Sequence, residues 1–118
     1  MRAAELNLYI EQGTDWERVL SLYKIDGKPI DLTNATVEMQ IRETAQSSSV
    51  SCSPAIEILQ PATQGKIKIE IGRNMQLDAS GEAYWKTERY VYDLFIVYND
   101  RRRRLLNGFV FVSPEVTK

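Results

Sequence analysis

Ala35-Thr36-Val37-Glu38-Met39-Gln40-Ile41-Arg42 places apolar side chains at odd positions and polar ones at even positions. A period of two belongs to a β-strand with one face buried and the other in water. Lys66-Ile67-Lys68-Ile69-Glu70-Ile71 repeats the pattern with β-branched residues suited to a pleated surface. Upstream, Leu6, Leu8 and Ile10 alternate with Asn7 and Tyr9, and Ile56 and Ile58 flank Glu57. Alternation of this kind indicates half-exposed antiparallel strands, because buried parallel strands read as solid apolar runs. The expected core therefore includes Val37, Met39, Ile41, Ile67, Ile69 and Ile71, joined by Leu94 and Ile96.

Three further segments are heavier. Trp16, Leu20 and Leu22 lie on one side of the run from Trp16 to Lys24, with Val19 and Tyr23 on the other. From Arg89 to Tyr98 the chain is apolar on both faces, with Tyr90, Tyr92, Leu94 and Ile96 against Val91, Phe95 and Val97. The run from Leu105 to Val112 sets Phe109 and Phe111 against Leu106, Val110 and Val112. A strand apolar on both sides is expected to be central, with its outer side covered by another element or subunit. Turn signals separate the runs: Asp26-Gly27-Lys28-Pro29, Gln64-Gly65, Ser80-Gly81, and Asn99-Asp100 as the tip of a hairpin joining the last two strands. The serine-rich stretch from Ala45 to Pro54 carries no apolar pattern and reads as a surface loop, and only Asn74 to Ala79 suits a helical turn. About seven short strands in one chain point to a single all-β domain over residues 1–118, an antiparallel β-sandwich with under about a tenth of its residues in helix.

Composition restricts function. A chain of 118 residues has room for one core. Its formal net charge of −1 argues against a general nucleic-acid binder. No run of about 18 apolar residues occurs, so no membrane-spanning helix is expected. The opening MRAAELNLYIEQG alternates and lacks the apolar core of a signal peptide, which predicts folding in the cytoplasm of the producing cell. There is no histidine, which removes the commonest general base and most zinc sites. The single cysteine, Cys52, excludes an intrachain disulfide and reads as an incidental loop residue. With no phosphate-binding loop, no metal-loop pattern and no paired carboxylates, the expectation is a protein without cofactor or catalytic site.

Three features stand out. Asp93 interrupts an apolar strand and is expected to cap backbone amides or pair with an arginine. Arg101, Arg102, Arg103 and Arg104 form a basic cluster at the hairpin, either solvated or gripping an acidic neighbouring subunit. The aromatics Trp16, Tyr84, Trp85, Tyr90, Tyr92 and Tyr98 are mostly core candidates. One tyrosine near the start of the penultimate strand should make a corner hydrogen bond. Tyr84 and Trp85, in GEAYWKTE, are the pair expected to be exposed and to contact another subunit.

Several segments together carry a resemblance: IEQGTDWERVLSLYKIDGKPIDLTNATVEMQIRE, then GKIKIEIG, then YVYDLFIVYNDRRRRLLNGFVFVSPEVTK. Pro29-Ile30-Asp31-Leu32-Thr33, Tyr90-Val91-Tyr92-Asp93-Leu94 and Val112-Ser113-Pro114-Glu115-Val116-Thr117 are its most specific pieces. The chain resembles small tail-associated virion proteins of tailed bacteriophages, and is similar in style to the N-terminal sandwich of baseplate upper proteins. That resemblance implies an immunoglobulin-like sandwich assembled in multiple copies as a ring at the tail, collar or baseplate. It also implies a virion location after assembly in the host cytoplasm, and other tail, baseplate or fibre proteins as partners. A head-decoration protein and a carbohydrate-binding or adhesion module are the alternatives. The four arginines go beyond the resemblance, which assigns them no role.

Overall fold

The alternating segments pair as strands in the computed structural model, which describes residues 4–77, 80–81 and 85–117. In chain order these are β1 (Ala4–Glu5), β2 (Leu8–Glu11), β3 (Trp16–Ser21), β4 (Thr36–Arg42), β5 (Ala55–Ile58), β6 (Lys66–Ile71), β7 (Arg89–Tyr98) and β8 (Arg101–Ser113). Among the described residues helix is confined to two 3₁₀ turns, Ala62–Gln64 and Arg73–Gln76, about 6% of the chain. The protein is an all-β sandwich.

One sheet is built on the β7–β8 hairpin, with β4 antiparallel to β7 on one side and β1 and β2 against β8 on the other. The second sheet is β3–β6–β5, antiparallel throughout. The expected antiparallel pairing needs one correction, because β1 and β2 run parallel to β8. No hairpin joins these strands; nearly the whole chain separates them, so no turn imposes an antiparallel return.

Inward-facing residues of both sheets share one core. Leu8, Ile10, Ile41, Ile67, Ile69, Ile71, Leu94 and Val110 are at most 1% exposed. Met39 and Ile96 are buried with them, while Val37, at the start of β4, is only partly buried. Leu22, Leu32, Cys52 and Trp85 reach the same core from the connections. Cys52 is therefore no incidental loop residue: its backbone bridges Ile41 and its side chain is buried.

The hairpin turn is Asn99-Asp100, with φ of 51° and 60°. Two left-handed residues give the tight turn whose twist matches the flanking strands. Just past it the ladder slips. Leu94 faces Leu106 but Phe95 faces Arg104, leaving Leu105 as a bulge. Strict alternation from Leu106, Val110 and Val112 would send Arg102 and Arg104 to the core side. The bulge turns them outward instead, opposite Val97 and Phe95.

Candidate assembly surface

The outer faces of the two sheets differ in chemistry. On β3–β6–β5, Glu17 faces Glu70, Val19 faces Lys68 and Lys68 faces Glu57. Lys68 bonds Glu70 at 2.8 Å, which holds its ammonium above the ordinary lysine pKa. This is a solvated charged face. On the other sheet, Val91, Phe95 and Val97 of β7 and Phe109 and Phe111 of β8 point outward, all only partly covered or exposed. Tyr9 of β2, 66% exposed, stacks on Phe111 at 5.4 Å, and Phe109 lies 5.9 Å from Phe111. The expectation that β7 is apolar on both faces holds; its outer side is only partly covered within the described chain.

Charges of both signs are set into that apolar face. Arg102 places its guanidinium carbon 3.6 Å from the Phe95 ring centroid while its Nε donates to Glu38 at 3.0 Å. Arg104 approaches the same ring at 5.5 Å and pairs with Asp93 at 3.6 Å. Asp93 thus has the expected arginine partner, although it faces outward from β7, opposite Gln40 and Asn107, and not into the core. Beyond these pairs the surface dips into a groove of about 700 Å³ whose lining includes Glu5, Arg42, Val91, Phe95, Asn107 and Phe109. Arg89 caps its aromatic end, 5.0 Å above Phe109.

The arginine run divides by strand parity. All four residues belong to β8, paired with Tyr98 through Phe95, so they flank the hairpin tip and do not form it. Arg102 and Arg104 work on the outer face as described. Arg101 and Arg103, opposite Tyr98 and Ile96, are exposed on the reverse side and form no ion pair or ring contact among the described residues.

Tyr84 lies outside the described residues. Trp85 corrects the expectation of an exposed contact pair, because it is 7% exposed and packs edge-on against Tyr90 at 5.0 Å. Its indole N–H donates to Gln76 Oε1 at 3.2 Å. Gln76, 2% exposed, also accepts from the Gly13 amide at 2.9 Å and donates through Nε2 to the Thr14 carbonyl at 2.7 Å. Tyr90 supplies the expected corner bond: its hydroxyl accepts from the Lys86 and Thr87 amides at 2.6 and 3.2 Å. Sequence patterning had no access to Gln76, since its turn carries no apolar period. Tyr90 and Tyr92, expected in the core, are buried there together with Trp85. Among the described residues the exposed aromatics are Tyr9, Tyr23, Tyr98 and Phe109, with Phe95 and Phe111 partly covered.

Burial pushes the Cys52 thiol up to about 11, so hardly any thiolate exists near neutrality. We expect a disulfide reagent at pH 8 to modify the native protein at least about 100-fold more slowly than the urea-unfolded chain. Equal rates would show that Cys52 is open to solvent. No group of three potential metal ligands is assembled among the described residues.

A second, smaller pocket of about 460 Å³ sits where β2 meets the far end of β8, lined by Tyr9, Trp16 and Phe111 together with Glu11, Thr14 and Glu88. The Trp16 indole donates to the Tyr9 carbonyl at 2.9 Å, which fixes one wall. No protein-family model matches the chain, and no curated protein matches it.

Proposed function

We propose that this chain is a non-enzymatic structural component of a tailed-phage virion. In this reading it repeats as a ring at the tail, collar or baseplate and mediates attachment of neighbouring tail or fibre proteins. The observation that carries the proposal is the contrast between the outer faces: one is charged and solvated, the other presents Tyr9, Phe95, Phe109 and Phe111. A half-covered aromatic face with arginines laid over it has the composition of a protein interface, enriched in aromatics and Arg. The sequence resemblance to small tail-associated virion proteins supplies the biological setting. The strand order supports the immunoglobulin-like part of that reading. On that reading β4, β7 and β8 would correspond to C, F and G in one sheet, and β3, β6 and β5 to B, E and D in the other, with Tyr90 at the corner.

Exposed single ion pairs such as Arg102–Glu38 and Arg104–Asp93 are worth only about 0–1 kcal/mol each, so the rings dominate the interface. Burying one Phe ring contributes about 1.5–3 kcal/mol, roughly 10- to 100-fold in affinity. Sedimentation velocity should show a homo-oligomer, or a tight complex with a phage tail protein. Phe95→Ser with Phe109→Ser should weaken the association at least about 100-fold while the fold persists. Lys68→Ser with Glu70→Ser on the other sheet should leave it unchanged. A protein that stays monomeric and binds no virion protein overturns the proposal.

The Tyr9–Phe111–Phe109 row, flanked by Asn7 and Glu11, favours the adhesion-module alternative as a second reading. Glycan binding by the monomer, lost in Tyr9→Ala, would select it over assembly.

A further inference from the structure

The two ends of the β7–β8 ribbon carry opposite, unsatisfied chemistry. At the hairpin end, Arg101 and Arg103 are exposed on one side of β8 and, alone among the four arginines, have no carboxylate or ring beside them within the described residues. At the other end, Arg89 pairs with Phe111, and the pocket walled by Tyr9, Trp16 and Phe111 opens beside them. Glu11 and Glu88 on its rim are exposed and likewise make no ion pair among the described residues. Ring faces and carboxylates converging on one small pocket are what a guanidinium binds: the rings take its plane and the carboxylates its N–H groups.

Arg101 and Arg103 cannot reach the pocket of their own chain. β7 is ten residues long. At about 3.4 Å per residue its ends lie about 30 Å apart, far beyond the reach of an arginine side chain. A second copy can fill it. We propose that the chain associates head to tail, with Arg101 and Arg103 of one copy seated on the Tyr9–Trp16–Phe111 pocket and paired with Glu11 and Glu88 of the next. The inference rests on the reading above that the chain assembles with copies of itself. It adds that the contact is heterologous: two different surfaces meet, each copy offers one of each, and the assembly closes into a ring or extends as a filament. A two-fold pairing of outer faces would instead stop at a dimer. Opposite charges at the two ends also disfavour head-to-head and tail-to-tail encounters, where like charges meet.

Charge reversal tests the contact on the full-length chain, by native mass and sedimentation at low salt. Arg101→Glu with Arg103→Glu should reduce self-association at least about tenfold, and so should Glu11→Arg with Glu88→Arg. Mixing the two variants should restore assembly, because each acidic tip then finds a basic pocket and each basic tip an acidic pocket. The chain carrying all four changes should also assemble, and the wild-type contact should weaken with added salt. The neutral pairs Arg101→Gln with Arg103→Gln, and Glu11→Gln with Glu88→Gln, should show the loss without introducing repulsion, so misfolding of a reversed variant does not decide the matter. Unchanged association in every charge variant overturns the head-to-tail contact. If Phe95→Ser with Phe109→Ser abolishes assembly in that case, the assembly reading stands without it. Loss in both reversed variants with no restoration on mixing overturns the pairing of these two sites. A wild-type monomer that binds a tail protein overturns the inference alone; one that binds nothing overturns both.

Discussion

Replacing Gln76 by leucine is expected to destabilise the fold by about 3–5 kcal/mol, because each buried polar group left without its partner costs about 1–3 kcal/mol. Three groups lose a hydrogen bond at once: the part-buried Gly13 amide and Thr14 carbonyl, and the buried Trp85 indole N–H. These come from two segments far apart in sequence, the turn between β2 and β3 and the segment leading into β7. Gln76 lies on a third, the 3₁₀ turn Arg73–Gln76, which the Asp15 carboxylate holds by accepting from the Arg73 amide at 2.7 Å. Leucine approximates the volume but offers no donor or acceptor, so the gain in apolar burial is small beside three lost hydrogen bonds. Urea denaturation measures the loss. Native tryptophan fluorescence reports its origin, since the Trp85 indole should shift on losing its acceptor. A stability within about 1 kcal/mol of wild type would mean that water replaces the side chain at all three groups.

How far the sequence reaches is clear from particular residues. Met39, Ile41, Ile67, Ile69 and Ile71 declare their faces because alternation is a local property, and all are buried. Asn99-Asp100 declares the hairpin because residues tolerant of positive φ stand between two apolar runs. Trp85 misleads for the converse reason. Its surroundings, GEAYWKTE, look like a loop, and the core contact depends on Gln76 and Tyr90, which no local pattern links to it. Cys52 fails in the same way, buried from a serine-rich segment by its bridge to Ile41. The arginines show a subtler limit. Parity along β8 gives the wrong face for Arg102 and Arg104, because a single bulged residue, Leu105, reverses it. A bulge leaves no periodic signal in so short a run. The aromatic surface was half legible: Phe109 and Phe111 share a side by alternation, but Tyr9 joins them only through parallel pairing of β2 with β8.

That parallel pairing depends on one glycine, and Gly108→Ala is expected to destabilise the protein by about 3 kcal/mol or more, at the upper end of what overpacking usually causes. Gly108 lies in β8 opposite Tyr92, and a methyl there would fall on the Leu6 carbonyl oxygen, with the Leu6 carbonyl carbon only 2.8 Å away. These are backbone atoms, which cannot swing aside as the end of a side chain could. The same carbonyl accepts from the Tyr92 hydroxyl at 2.6 Å, and burial pushes that phenol up to about 12, so it remains a protonated donor over the working pH range. Nearby, the Leu6 amide donates to the Asn107 carbonyl at 3.0 Å and the Phe109 amide to Asn7 Oδ1 at 3.0 Å. Displacing Leu6 breaks this cluster together and loosens the segment that brings Leu8 and Ile10, both essentially unexposed, into the core. Tyr92→Phe is the calibrating variant: it removes one hydrogen bond and adds no atom, so it should cost only about 1 kcal/mol. Denaturation should rank the two variants in that order. Hydrogen exchange should place the damage, with amides of Leu8–Glu11 losing protection in Gly108→Ala while those of β6 keep theirs. Equal effects from the two substitutions would show that the cluster matters only through the Tyr92 hydroxyl. The larger loss for alanine would show that the segment leading into β2 holds its place because β8 carries no side chain where the two backbones touch.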